Sequence, residues 1–237
     1  HQSGRRQRQM CIRDRVDIDT NKEARKEWRK AKAVVHNKNA NEWRISCRTR
    51  MTMNCVREFE GKDFYIPWSF DYRGRAYPIP SFLTPQDTDF GKSLLRFSEE
   101  SEITEEGMRW LAFQVATTYG LDKATMEERL AWVAKRENIL LITRVATDPI
   151  NNIGDWEAAD EPFQFLAACK EYYDVVMVGK KTTGLPVATD ATCSGLQILA
   201  GLARDKSTAC LVNVMPSDKP QDALSLIHIS EPTRRIE

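Results

Sequence analysis

The chain has 237 residues, 41% apolar and 29% charged, with a formal net charge of +1. That length and balance suit one large globular domain or parts of two. No apolar run is long enough to span a bilayer and none resembles a signal-peptide core. Six cysteines without a close pair favour reduced thiols in a cytoplasm-like compartment over a disulfide framework.

The ends differ from the middle. Residues 5–15, RRQRQMCIRDR, and 224–234, LSLIHISEPTR, resemble translated arms of a transposon-based sequencing-library adapter. We expect residues 1–15 (disordered) and 224–237 to be artefact and leave both out of fold reasoning. They hold seven Arg, one Asp and two Glu, so without them the net charge moves from +1 to −3. The N-terminal Arg cluster then no longer argues for nucleic-acid binding. His36 is the one remaining histidine, which argues against a His-rich zinc site or a histidine-based nucleophile pair.

Residues 21–60 are polar and basic, with a thin apolar face that includes Trp28, Val34, Trp43 and Ile45. They predict one or two amphipathic helices with a break near residues 37–41. Residues 64–80, FYIPWSFDYRGRAYPIP, are aromatic and proline-rich and predict extended segments and turns. Residues 81–89 look like loop.

Thr104 is a candidate N-cap, Glu105 and Glu106 suit the positive helix end, and Gly120 is a plausible stop. Thr125 and Glu128 form a possible capping box opening a second helix that runs to Asp148 and Pro149. A third helix near Pro162 should bury Phe163, Phe165, Leu166 and Cys169, the last as a packed core thiol. Residues 185–189 and 209–214 are strand candidates, residues 194–204 a helix, and Ser217 the N-cap of another.

PVATDATCSGLQ, residues 186–197, places the lone carboxylate of Asp190 after an apolar run, followed by small residues. Such a group at a strand end can offer hard oxygen ligands to a cation, with a partner's phosphates supplying others. The same carboxylate could equally cap the following helix or end a turn. A nucleophile elbow at Ser194 or Cys193 lacks the N-terminal glycine and an evident base. In DYRGRAY, residues 71–77, Arg73 and Arg75 flank a glycine and could bind phosphate bidentately, with Tyr77 packing on sugar or base. The alternative is a buried salt bridge from Asp71 to an arginine within a β-turn. No Walker-type phosphate loop is present.

Several ordered blocks together resemble the single-subunit, phage-type DNA-directed RNA polymerases. PVATDATCSGLQ resembles that family's first catalytic motif. Residues 67–99, PWSFDYRGRAYPIPSFLTPQDTDFGKSLLRFSE, resemble the opening of its palm. EPFQFLAACKEY at 161–172, LARD at 202–205 and VNVMPSDKPQD at 212–222 follow in the family's order. The wording is closer to phage than to organellar members.

The resemblance implies an α+β, mostly helical part of a right-hand polymerase. Residues 16–60 would be helical thumb-to-palm region, and residues 61–223 the first part of a palm with a small antiparallel sheet carrying Asp190. It implies templated nucleotidyl transfer with two Mg²⁺ ions held by Asp190 and the backbone carbonyl of Ala191. Arg73, Arg75, Tyr77 and Gly195 would lie against nucleic acid or nucleotide. The implied partners are DNA template, RNA transcript and nucleoside triphosphates, without a membrane. The parent would be a monomer acting in the cytoplasm of a phage host rather than in an organelle.

Ala191 stands where phage members often carry Gly, and Ile198 where some carry His. The family's second metal-binding Asp, its fingers Lys and its ribose-sensing Tyr would lie outside this chain, so we expect the 237-residue chain alone to be inert. A DNA-directed DNA polymerase palm and a non-enzymatic nucleic-acid-binding helical domain are the competing functions.

Overall fold

In the computed structural model, residues 21–189, 193–216 and 221 are described. They divide into two compact units between Tyr65 and Ile66.

The first unit is built on α1, Lys22–Phe59. The Asn21 side chain starts it by accepting from the amides of Glu23 at 3.0 Å and Ala24 at 3.4 Å. The expected break near residues 37–41 does not occur. The stretch contains neither Gly nor Pro, and three asparagines each cost less than about 0.7 kcal/mol of helix propensity. Eleven Lys or Arg against four Glu line this helix. Val34, Trp43 and Ile45 are exposed along it.

The second unit opens with a hairpin, β1 (Trp68–Phe70) and β2 (Ala76–Pro78), in which Trp68 opposes Pro78 and Ser69 opposes Tyr77. A short α2, Asp89–Ser93, follows. Then β3 (Ser101–Glu102) leads into α3, Glu105–Tyr119. Thr104 caps α3 through the Gly107 amide at 3.1 Å, and Gly120 ends it at φ 132°.

The single helix expected over the next segment is two: α4, Met126–Ala134, and α5, Arg136–Thr147. The capping box is present, with Thr125 N donating to Glu128 at 2.9 Å and Glu128 N to the Thr125 hydroxyl at 3.2 Å. The interruption sits at Lys135, whose ψ is 135°. There the Asn138 side chain donates to the Trp132 carbonyl at 2.7 Å, in place of a helical amide.

After the single turn α6 (Ile153–Trp156) comes α7, Pro162–Tyr173, which runs into a π turn over Asp174–Val178. No side chain of its own first residues caps α7. Asp89 of α2 does so from a distance, accepting from the amides of Phe163 at 2.8 Å and Gln164 at 3.0 Å. A carboxylate there suits the positive helix end, and it joins the blocks 67–99 and 161–172.

Helices α3, α4, α5 and α7 enclose one apolar core. Val115, Val145, Phe165 and Cys169 are wholly buried in it, with Val133, Ile142 and Ala168 beside them. Burial pushes the Cys169 thiol well up, as a packed core thiol requires. Phe163, expected inside, is 39% exposed and packs edge-on against Phe90 at 5.1 Å.

Strand β4, Thr182–Thr183, pairs antiparallel with β3. Residues 185–189, expected as a strand, are not one. Pro186 has no amide to donate, and the pairing partner is used up where the Phe97 amide donates to the Gly184 carbonyl at 2.8 Å. Helix α8, Ser194–Ala203, forms as expected.

The second strand candidate is instead α9, Lys206–Leu211. Asp205 starts it by accepting from the Ser207 amide at 3.0 Å and from the Ser207 and Thr208 hydroxyls. The cap outweighs the local β-branched character. Among the described residues no helix is long and apolar enough to cross a membrane. The described residues are thus mostly helical with two small antiparallel pairs of strands.

Candidate active site

The hairpin tip presents the arginines. Gly74 sits at φ 78°, a conformation that suits glycine, and its amide donates to the Asp71 carbonyl at 3.0 Å. The Asp71 carboxylate accepts from the amides of Arg73 and Arg75, both at 2.9 Å, and from Arg73 Nε at 3.3 Å. These bonds, the one from the Arg75 amide foremost, hold its carboxyl below the ordinary range.

Asp71 and Arg73 therefore build the turn, as the salt-bridge alternative expected, but the pair is not buried as that alternative had it. Arg73 also lies over the Tyr72 ring at 5.3 Å. Arg75 is exposed, and its guanidinium makes no hydrogen bond or ion pair among the described residues. Tyr77, in β2 two residues on, is 40% exposed.

Asp190, Ala191 and Thr192 lie outside the described residues, as does Ser217. The chain on either side of the first three is described. Upstream, Gly184 is pinned against the Phe97 backbone, and Leu185 packs on the apolar core. Downstream, Cys193 stands in the left-handed region at φ 56°, a conformation that costs a non-glycine residue roughly 1–2 kcal/mol. Gly195 follows in the first turn of α8, and among the described residues a Cβ built there meets nothing within 4 Å. The Gln197 side chain fixes α8 by donating to the Val212 carbonyl at 2.8 Å. No hydrogen bond, ion pair or ring contact among the described residues joins the hairpin to α8.

A polar cluster that the sequence reading missed lies immediately upstream. Glu171 of α7 is 2% exposed. It accepts from Arg96 through two nitrogens, at 2.8 and 3.1 Å, from Lys180 Nζ at 3.0 Å and from the Thr183 hydroxyl at 2.8 Å. Glu100 accepts from the same Arg96 at 3.1 Å, the same Lys180 at 3.0 Å and the Thr182 hydroxyl. Burial alone would raise the Glu171 carboxyl, but the bonds from Arg96, Thr183 and Lys180 outweigh it and leave it lowered. The Thr182 and Lys180 bonds bring Glu100 down to about 2. Removing one partner would strand a buried charge at a cost on the order of a few kcal/mol. One signal was available: Glu171 lies three residues beyond Ala168, on the inward side of a core helix.

A family model described as DNA-dependent RNA polymerase matches residues 101–230, more than half the chain and past the point where the adapter-like text begins. Similar proteins include the DNA-directed RNA polymerase of Enterobacteria phage T3, 37% identical over 215 residues, and that of Enterobacteria phage K11, 36% over 213. The mitochondrial DNA-directed RNA polymerase of Neurospora crassa is 34% identical over 203. These matches cover 89%, 89% and 84% of this chain but 24%, 23% and 14% of the relatives. The chain thus spans about a quarter of the length of the phage proteins. It belongs to the phage-type DNA-dependent RNA polymerase family.

Proposed function

We propose that this chain is part of a DNA-directed RNA polymerase and carries the first catalytic carboxylate, Asp190, of a templated nucleotidyl transfer. Its substrates are nucleoside triphosphates and a DNA template, and its product is RNA. The parent enzyme is a monomer in the cytoplasm of a phage host. Residues 16–60 lead out of the thumb and 61–223 form the first part of the palm, a division in keeping with the compact units on either side of Tyr65.

The observation that carries this function is the setting of the motif PVATDATCSGLQ. Its upstream arm follows a clamped Gly184, and its downstream arm opens a helix with empty space at Gly195. That leaves room for a nucleotide or primer end against the backbone. The donor chemistry fits a hard cation, because a carboxylate and a main-chain carbonyl at Ala191 offer oxygen only. Among the described residues no group of three His, Cys, Asp or Glu offers a competing metal site. When bound, two Mg²⁺ ions would supply charge neutralisation on the triphosphate and acidify the attacking 3′-hydroxyl. Arg75 is the guanidinium with donors to spare for phosphate. Tyr77 offers a ring to sugar or base, and Arg73 contributes the nitrogens that Asp71 leaves open.

The test is Asp190→Asn in the complete polymerase of the parent gene. Nucleotide addition should fall on the order of 10³-fold, with template binding retained. Undiminished addition would remove Asp190 from the chemistry. The 237-residue chain alone should make no templated RNA.

A further inference from the structure

We infer that Glu171, acting with Arg96, Lys180 and Thr183, is a positioning residue that fixes the segment from which Asp190 is hung. This inference rests on the function proposed for Asp190 and adds residues to it.

The chain upstream of Asp190 has few fixed points. Residues 186–189 lie in no strand or helix and make no backbone hydrogen bond among those described. The last fixed residues are Thr183, Gly184 and Leu185. Thr183 donates its hydroxyl to Glu171 at 2.8 Å, and the same oxygen accepts from the Leu185 amide at 3.2 Å. Gly184 lies so close to residue 97 that an added Cβ would meet the Phe97 carbonyl oxygen at 2.6 Å. A two-residue ladder with β3 is too short to hold this segment alone. Glu171 supplies what the ladder lacks. It stands on a core helix, and its oxygens reach the ladder strand directly. Arg96 and Lys180, which precede β3 and β4 respectively in sequence, converge on it. Glu100 closes the ring by holding the same two cations and Thr182. A reacting group must be held within about 0.5 Å of its working geometry, and beside the packing of Leu185 on the core the directional link from core to motif runs through these side chains.

The experiment uses the complete polymerase with Glu171→Gln, Thr183→Val, Thr183→Ser and Asp190→Asn. Thr183→Val keeps shape and removes the hydroxyl that links the strand to the carboxylate and accepts from the Leu185 amide, so it reports even if Glu171→Gln fails to fold. Expected for Thr183→Val is a kcat loss of roughly 10- to 100-fold. The Mg²⁺ concentration giving half-maximal addition should rise about tenfold, with nucleotide KM and template affinity unchanged. Thr183→Ser, which keeps the hydroxyl, should restore both. If folded Thr183→Val shows the parent kcat and Mg²⁺ dependence while Asp190→Asn is inactive, the positioning role is wrong and the role of Asp190 stands. If Asp190→Asn is active, both fall.

Discussion

Residues 105–173 bury Val115, Val145 and Phe165 completely, whereas the described part of residues 184–216 buries, apart from Gly184, only Ala200, Ala209 and Val212 and leaves Leu199 and Leu202 exposed. The first region is held by a shared apolar interior, which is non-directional and tolerant. The second, which flanks the proposed catalytic motif, is tethered at its start by the backbone clamp of Gly184 to Phe97, by Leu185 packed on the interior and, through Thr183, by a ring of charged side chains. Polar bonds fix direction as well as distance. A region that must aim a carboxylate gains more from that than from further apolar burial.

The contrast can be broken most forcefully in the interior. Phe165→Ala removes a fully buried ring that packs at a tilt against Tyr119, with centroids 5.2 Å apart. It should destabilise the chain by about 3–5 kcal/mol, read as a fall in the midpoint of urea unfolding. A loss below about 1 kcal/mol would mean that the four-helix interior is not the main source of stability. Gly184→Ala attacks the other side. Its new methyl must displace the Phe97 carbonyl, a backbone atom that cannot swing away, at a cost of about 1–3 kcal/mol. The damage should be local: the Phe97 amide loses protection from hydrogen exchange while amides of α3 keep theirs. Equal loss in both places would erase the distinction between the two regions.

The interior was the more legible of the two. Thr104, Gly120 and the pair Thr125 and Glu128 are short-range signals, and the periodicity of Leu111, Ala112, Val115 and Ala116 repeats every turn. The errors came where the deciding interaction is distant or competes with a local tendency. Arg96 and Glu171 are 75 residues apart, so no window of sequence shows them meeting. The same separation hid the capping of α7 by Asp89. Residues 209–214 look β-branched and extended until Asp205 is weighed as a cap. At the hairpin, Arg73 and Arg75 look equivalent in sequence. Only the fold separates the one that builds the turn from the one left open. The motif itself was legible as a pattern of residue types, and its surroundings became interpretable only through the clamp at Gly184.

The smallest effect, and the one most specific to the polar ring, is its response to acid. Glu100 is held at about 2 against an ordinary 4.5, with the Thr182 and Lys180 bonds as the leading causes. Glu171 is shifted in the same direction. A depressed carboxyl stabilises the fold fully above its unfolded value and loses that contribution as pH falls through its folded value. The tie between α7 and the β3–β4 ladder should therefore be intact above pH 4.5 and weaken from there toward pH 2. Amide resonances of Ser101 and Thr183 should move with a midpoint well below 4.5, while those of Val115 and Val145, whose surroundings hold no such carboxylate, stay put. The shift should be sensitive to Lys180→Met, which removes a cation shared by both carboxylates and should bring the midpoint back toward 4.5. A titration that left Ser101 and Thr183 unmoved would show that the ladder stands without the ring, and the directional half of the comparison would fail there.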